Sequence, residues 1–281
     1  MPLTGRSIVA PVGKPSGGFR RHTSWLVALG VALFCAAVPD SSAALSNIDL
    51  NTDPGIAVDG AAAFDQAGRR VAAAGDVNGD GTDDVIVGAW NADNNSRTDS
   101  GSAYVIYGSG SPSDLDLSGL TQANGFRIDG AAGDDRLGYS LDGAGDVNDD
   151  GYDDVVVGAY NADNNSRADS GSSYVIYGAA TQTNLNLSSM TTARGFRIDG
   201  AAADDNAGLA TGGAGDVNGD GKDDVIVGSW MANGGAGRVY VVYGSASAQA
   251  NLDLNSLGSR GFRMNGVAFP CLLYTSDAAD E

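Results

Sequence analysis

One segment fixes what this chain can fold into. Ala-Gly-Asp-Val-Asn occurs at Ala74, Ala144 and Ala214, a spacing of 70 residues, and each copy is followed by the same succession of short runs. The copies read AGDVNGDGTDDVIVGAW, AGDVNDDGYDDVVVGAY and AGDVNGDGKDDVIVGSW. They are continued by SGSAYVIYG from Ser100, SGSSYVIYG from Ser170 and AGRVYVVYG from Ala236, then by GFRIDG from Gly125, GFRIDG from Gly195 and GFRMNG from Gly261. A unit with several short apolar runs cannot bury its own surface, so neighbouring units must stack to share a core.

Each unit is expected to form four strands. In the first unit these fall around Arg70 to Asp76, Asp84 to Trp90, Ala103 to Tyr107 and Gly125 to Asp129. Runs such as VIVGA and YVIY are rich in β-branched and aromatic residues, as strands packed on both faces require. The 42 glycines supply the positive φ angles of the many tight turns. Four antiparallel strands per unit predict an all-β fold, a β-propeller, with units at about 61–130, 131–200 and 201–266 within a body spanning 45–269. NIDLNTDPGIAVDG from Asn47 matches the end of a unit, NLDLNSLGSRGFRMNG from Asn251. The body is therefore expected to open with an orphan fourth strand and to continue through three complete blades.

The formal net charge is −19, and beyond Ser46 the only lysine is Lys222. Such a surface repels phosphate backbones and excludes nucleic acid as a natural partner; cations suit it. The only histidine is His22, and the only cysteines are Cys35 and Cys271. Without these residues in the repeats, the body cannot build a zinc site, a Ser/His triad or a Cys nucleophile, and it is not expected to be an enzyme.

The chemistry lies in the loop Asp-x-Asn-x-Asp-Gly-x-Asp-Asp. In the first copy Asp76, Asn78 and Asp80 alternate, Gly81 permits a sharp turn, the backbone carbonyl of Thr82 is a further donor, and Asp84 closes the loop. The same places are taken by Asp146, Asn148, Asp150, Tyr152 and Asp154, and by Asp216, Asn218, Asp220, Lys222 and Asp224, with Tyr152 and Lys222 again acting through their carbonyls. Alternate side chains in a tight loop converge on one point. An all-oxygen cage of this kind suits Ca2+, whereas Mg2+ tolerates an irregular cage poorly. An EF-hand is excluded, because its twelfth position, a bidentate Glu, is Val87, Val157 or Val227 here. About three structural calcium sites are expected.

The units resemble FG-GAP repeats of the integrin α-chain type, in which a Phe-Gly-like step precedes the loop and a Gly-Ala-Pro-like step follows it. Here the steps are Ala67-Gly68, Leu137-Gly138 and Ala207-Gly208, then Gly88-Ala89-Trp90, Gly158-Ala159-Tyr160 and Gly228-Ser229-Trp230. The Phe and Pro are replaced, while the glycines and the loop remain. The resemblance implies a propeller closed by its N-terminal strand, and an extracellular adhesion or recognition module whose partner is a protein or a glycan. The alternative is a non-catalytic propeller attached to a larger secreted hydrolase, as in phospholipases with similar repeats.

The inserts NADNNSRTDSG from Asn91 and NADNNSRADSG from Asn161 are absent from the third unit and read as solvated turns; Trp90, Tyr160 and Trp230 at strand ends read as blade packing. Lys14, Arg20 and Arg21, the apolar run from Trp25 to Val38 and the small residues Ser41 to Ala44 predict a secretory signal peptide over 1–44, and so a secreted or cell-surface protein. With that leader removed, no transmembrane segment is expected. CLLYTSDAADE, from Cys271, reads as translated sequencing adapter, so 270–281 is not taken as native and the chain is expected to be a fragment.

Overall fold

The computed structural model describes residues 57–110 and 113–266. The leader at 1–44 and the tail at 270–281 lie outside the described residues. No helix among those described is long and apolar enough to cross a membrane.

The architecture is all-β. The first blade comprises β2 (Arg70–Gly75), β3 (Asp84–Ala89), β4 (Ser102–Ile106) and β6 (Gly125–Asp129); the second β7 (Ser140–Gly145), β8 (Asp154–Ala159), β9 (Ser172–Ile176) and β11 (Gly195–Asp199); the third β12 (Ala207–Gly215), β13 (Asp224–Ser229), β14 (Arg238–Val242) and β16 (Gly261–Asn265). Each is an antiparallel meander. Within two residues, these are the strands read from the sequence. The first strands β2, β7 and β12 lie side by side, so blades stack in chain order as a β-propeller.

A two-residue strand precedes the fourth strand of each unit: β5 (Leu115–Asp116), β10 (Leu185–Asn186) and β15 (Leu252–Asp253). Each crosses to the preceding blade and pairs in parallel with its last strand: Leu185 opposite Ile128, and Leu252 opposite Ile198. The strand β1 (Val58–Asp59) receives β5 in the same way, with Val58 opposite Leu115. Val58 thus takes the place of Ile128 and Ile198, as expected of an orphan fourth strand.

Alternation along each strand explains why both faces are buried. Val155 and Val157 of β8 join Ile86, Val105, Phe126 and Ile128 in a core shared with the first blade. Val156 points the other way and joins Val175, Phe196 and Ile198 against Val225 and Val227 of the third. With side chains alternating along a strand, an unbroken apolar run supplies two interfaces.

The inserts are turns with exposed tips, as their polarity implied, but they also make contacts across blades. Asn95 Nδ2 donates to Asp129 Oδ2 at 3.0 Å, Arg97 reaches Asn186 of β10 at 2.8 Å, and Arg167 pairs with Asp253 of β15 at 2.8 Å. Ser100 and Ser170 are fully buried. The inserts clamp the crossing strand of the next unit. Packing at the strand ends is as expected for Trp90 and Tyr160, which flank Tyr139 at 5.8 and 4.6 Å, with Arg69 lying over Tyr139 at 4.3 Å. Trp230 is exposed.

Candidate metal sites in the hairpin loops

The loops join the first and second strands of each blade. At Ala73/Gly75, Gly143/Gly145 and Gly213/Gly215 the pairing slips by one residue. The bulge glycine, at φ +74 in Gly75 and +67 in Gly145, turns the chain out of the sheet. Inside the first loop, Asp76 Oδ1 accepts from Asp80 N–H at 3.0 Å and its Oδ2 from Gly81 N–H at 2.8 Å. Asn78 Oδ1 also accepts from Asp80 N–H, at 2.8 Å, while Asn78 Nδ2 donates to Asp80 Oδ2 at 3.0 Å. Thr82 N–H donates to Asp80 Oδ1 at 2.9 Å.

The second loop repeats this set through Asp146, Asn148, Asp150 and Tyr152 N–H. The third repeats it through Asp216, Asn218, Asp220 and Lys222 N–H. In each loop the same hydrogen bonds therefore link the side chains of positions one, three and five. The third loop differs in two respects: Gly219 N–H also donates to Asp216 Oδ1, at 2.7 Å, and Lys222 brings a charge. Lys222 Nζ lies 3.1 Å from the Asp220 carbonyl and 3.6 Å from Asp220 Oδ1, so a cation of the chain already sits at the fifth-position Asp.

The ninth residue plays a second part. Asp84 accepts from Val77 N–H at 3.0 Å and from Gly108 N–H at 2.8 Å, tying the loop to the end of β4; Asp154 and Asp224 do the same. All three carboxylates are buried. Burial, with Asp80 and Asp76 adding repulsion, pushes Asp84 up to about 6 against its two backbone donors. Burial pushes Asp154 up to about 8, and Asp224 is raised for the same reason. By contrast, the Asn78 amide holds Asp80 below the usual carboxylate range, and the Gly221 N–H does so for Asp216.

Among the described residues no three His, Cys, Asp or Glu side chains stand as a preformed ligand cluster. In each loop the carboxylates of the first and fifth positions are turned onto loop N–H groups. The donor set is nevertheless oxygen throughout, and in the first two loops each oxygen of the first-position Asp accepts one loop N–H and retains a free lone pair, whereas in the third Asp216 Oδ1 accepts from both Gly219 and Asp220 N–H. That set fits a hard cation of the calcium kind and offers nothing to a soft one.

The eighth residues, Asp83, Asp153 and Asp223, lie outside the expected ligand set. The structure turns Asp153 onto Asp76 N–H in the preceding blade, at 2.7 Å, and Asp223 onto Asp146 N–H, at 2.9 Å. A signal existed: the seventh position varies among Thr, Tyr and Lys, whereas the eighth is Asp in every copy.

The other end of the blades is built differently. Strand direction puts the inserts and the turns after β6 and β11 opposite the hairpin loops. There a polar cavity of about 390 Å³ lies between turn residues Asp134 and Asp135 and insert residues Asn161, Asp163 and Asn164, with Arg197 in its wall.

The FG-GAP repeat model matches residues 67–106, 137–176 and 208–242, each span running from the step before the loop into the third strand. The chain is 39% identical to integrin alpha pat-2 of Caenorhabditis elegans over 124 residues, 41% of this chain and 9% of the relative. It is 31% identical to phosphatidylinositol-glycan-specific phospholipase D of Mus musculus over 203 residues, 68% of this chain and 22% of the relative. With integrin alpha-PS2 of Drosophila melanogaster the identity is 27% over 234 residues, 76% of this chain and 16% of the relative. The chain thus spans less than a quarter of the length of these relatives. Each matched span falls on one blade: the chain is a β-propeller that carries three FG-GAP repeats, and over them it is similar both to integrin alpha chains and to phosphatidylinositol-glycan-specific phospholipase D.

Proposed function

We propose that this chain is a calcium-braced, non-catalytic recognition module that works outside the cell. The observation that carries the reading is the threefold loop: in each copy the side chains of positions one, three and five are gathered by the same hydrogen bonds. Asp76, Asn78, Asp80, the Thr82 carbonyl and Asp84 would hold one ion, and their counterparts in the other loops two more. The ion supplies charge to offset three neighbouring carboxylates and fixes the hairpin. Extracellular modules of this kind bind at about 10⁻⁴ to 10⁻³ M, a range filled outside the cell and not within it. Recognition of a protein or glycan falls to the opposite end, where the inserts and the polar cavity stand.

Calorimetric titration of the full chain with calcium tests this. About three sites are expected, with a melting temperature that falls in chelator, and both effects are lost when Asp80, Asp150 and Asp220 are all changed to Ala. Absence of heat and of a melting shift would reduce the loops to turns. The similarity to the phospholipase D over 203 residues favours a second reading, a propeller that accompanies a hydrolase domain without contributing to catalysis. Loss of hydrolysis by a longer form on mutation of these loops, at unchanged stability, would count against it.

A further inference from the structure

Asp76, the first residue of the first loop, is held by its neighbour at both backbone groups. Its N–H donates to Asp153 Oδ2 at 2.7 Å and its C=O accepts from Asp153 N–H at 3.2 Å. The next residue, Val77, has its C=O bonded by Ala179 N–H, also from the second blade, at 3.0 Å. The arrangement recurs one blade on: Asp146 N–H to Asp223 Oδ2 at 2.9 Å, Asp223 N–H to Asp146 O at 3.2 Å, and Ser245 N–H to Val147 O at 2.8 Å. The approach is close enough to dictate the residue before it. A Cβ on Gly75 would lie 2.2 Å from Asp153 Oδ2, and one on Gly145 2.0 Å from Asp223 Oδ2. Gly215 leads into a loop with no such neighbour among the described residues and has open space at the same point. Asp83, the eighth residue of the first loop, is exposed, whereas Asp153 and Asp223 are half-buried.

We infer that the eighth-position Asp is a positioning residue for the loop of the preceding blade: Asp153 sets the first calcium ligand of the first loop and Asp223 that of the second. The inference rests on the calcium reading and adds to it that ion occupancy is coupled along the array, from each blade back to the one before. Asp76 offers its carboxylate from a backbone pinned on both sides, so the base of that ligand is fixed before an ion arrives. Removing the pin frees the base of that ligand while leaving every ligand atom in place. Groups that orient a ligand without touching the metal change affinity by about 10- to 100-fold.

The test uses the full chain with Asp150→Ala and Asp220→Ala, so that only the first loop binds, and calcium titration as readout. Asp153→Ala is expected to weaken that loop about tenfold. Asp153→Asn, whose amide oxygen still accepts from Asp76 N–H, is expected to retain affinity within about threefold, since a neutral acceptor keeps the bond but weakens it. Asp83→Ala, in the same loop as the ligands, is expected to leave it unchanged. Amide exchange at Asp76 in chelator gives a metal-free reading, accelerated by Asp153→Ala and not by Asp83→Ala. Equal weakening by Asp153→Ala and Asp83→Ala, or no weakening by the former, overturns the inference. Equal loss in Asp153→Asn and Asp153→Ala assigns the effect to net charge and overturns it too. No calcium binding by the unsubstituted chain overturns the calcium reading together with the coupling, a result distinct from binding that is indifferent to residue 153.

Discussion

Val147 in the second loop and Val217 in the third hold the same place in the repeat, yet Val147 is fully buried and Val217 is 49% exposed. Phe196 and Phe262 differ likewise, at 0% and 37%. Their sequences do not account for this, since AGDVN and GFR precede or contain both members of each pair. The second blade has a neighbour on each face, and the third has one only on the side of the second among the described residues. A repeat therefore encodes half of two interfaces, and a side chain counts as core only once the facing half is present.

The largest effect that could break this comparison is at the phenylalanines. Phe196→Ala should cost about 3 to 4 kcal/mol in urea unfolding, and Phe262→Ala about 1, because only the first leaves a closed cavity. Equal costs would mean the faces are not distinct. Next come the bulge glycines. Gly215→Ala should cost about 1 kcal/mol for its positive φ alone, while Gly145→Ala should cost about 3 because its Cβ also meets the Asp223 carboxylate. Thermal melts of the two variants compare them directly.

A smaller effect lies in the turns that lead into the two blades. Burial, with the Asp163 charge adding to it, pushes Asp135 up to about 6 from 3.8, in spite of the Ala132 N–H that it accepts. A carboxyl raised in the folded state opposes folding once ionised, so its penalty is absent below about pH 4 and complete above about pH 6. Asp135→Asn should raise stability by about 1 kcal/mol at pH 8 and leave it unchanged at pH 4. Burial also raises Asp205, ahead of the third blade, against the charges of Arg238 and Arg167, and Asp205→Asn should gain less. A gain that grows toward low pH would reverse the sign and reject the assignment. The smallest effect is at Lys222. Replacing it by Thr, the residue of the first loop, should tighten calcium at the third loop by about threefold, read by titration with the other two loops disabled, because a pair open to solvent at its Asp220 end contributes less than about 1 kcal/mol.

The strands and the hairpin loops were legible because their signals are local. Alternation in VIVGA and YVIY, and the spacing of Asp76, Asn78 and Asp80, are set within a few residues. What escaped depends on partners far along the chain. Leu185 and Asn186 form a strand only because Ile128 and Asp129 lie beside them, and two residues carry no period of their own. Asp153 looks like a turn residue until Asp76, 77 positions earlier, is placed against it. The inserts read as turns because Asn and Asp are common there, and nothing local shows that Arg97 also finds Asn186, 89 residues away.

The crossing strands bear on how such a chain can be assembled. The fourth strand of the first blade is complete only when Leu185 reaches Ile128, and that of the second only when Leu252 reaches Ile198. As the polypeptide leaves the ribosome, each blade must wait for most of the following unit to be synthesised, holding an open strand edge in the interval. The cooperative folding unit is thus shifted from the sequence repeat. A cut at the repeat seam would lose the two-residue ladder to the crossing strand, whereas a cut just after the crossing strand would part the third strand of the next blade from its fourth and lose five residue pairs, so each blade overlaps the next repeat and neither boundary frees it intact.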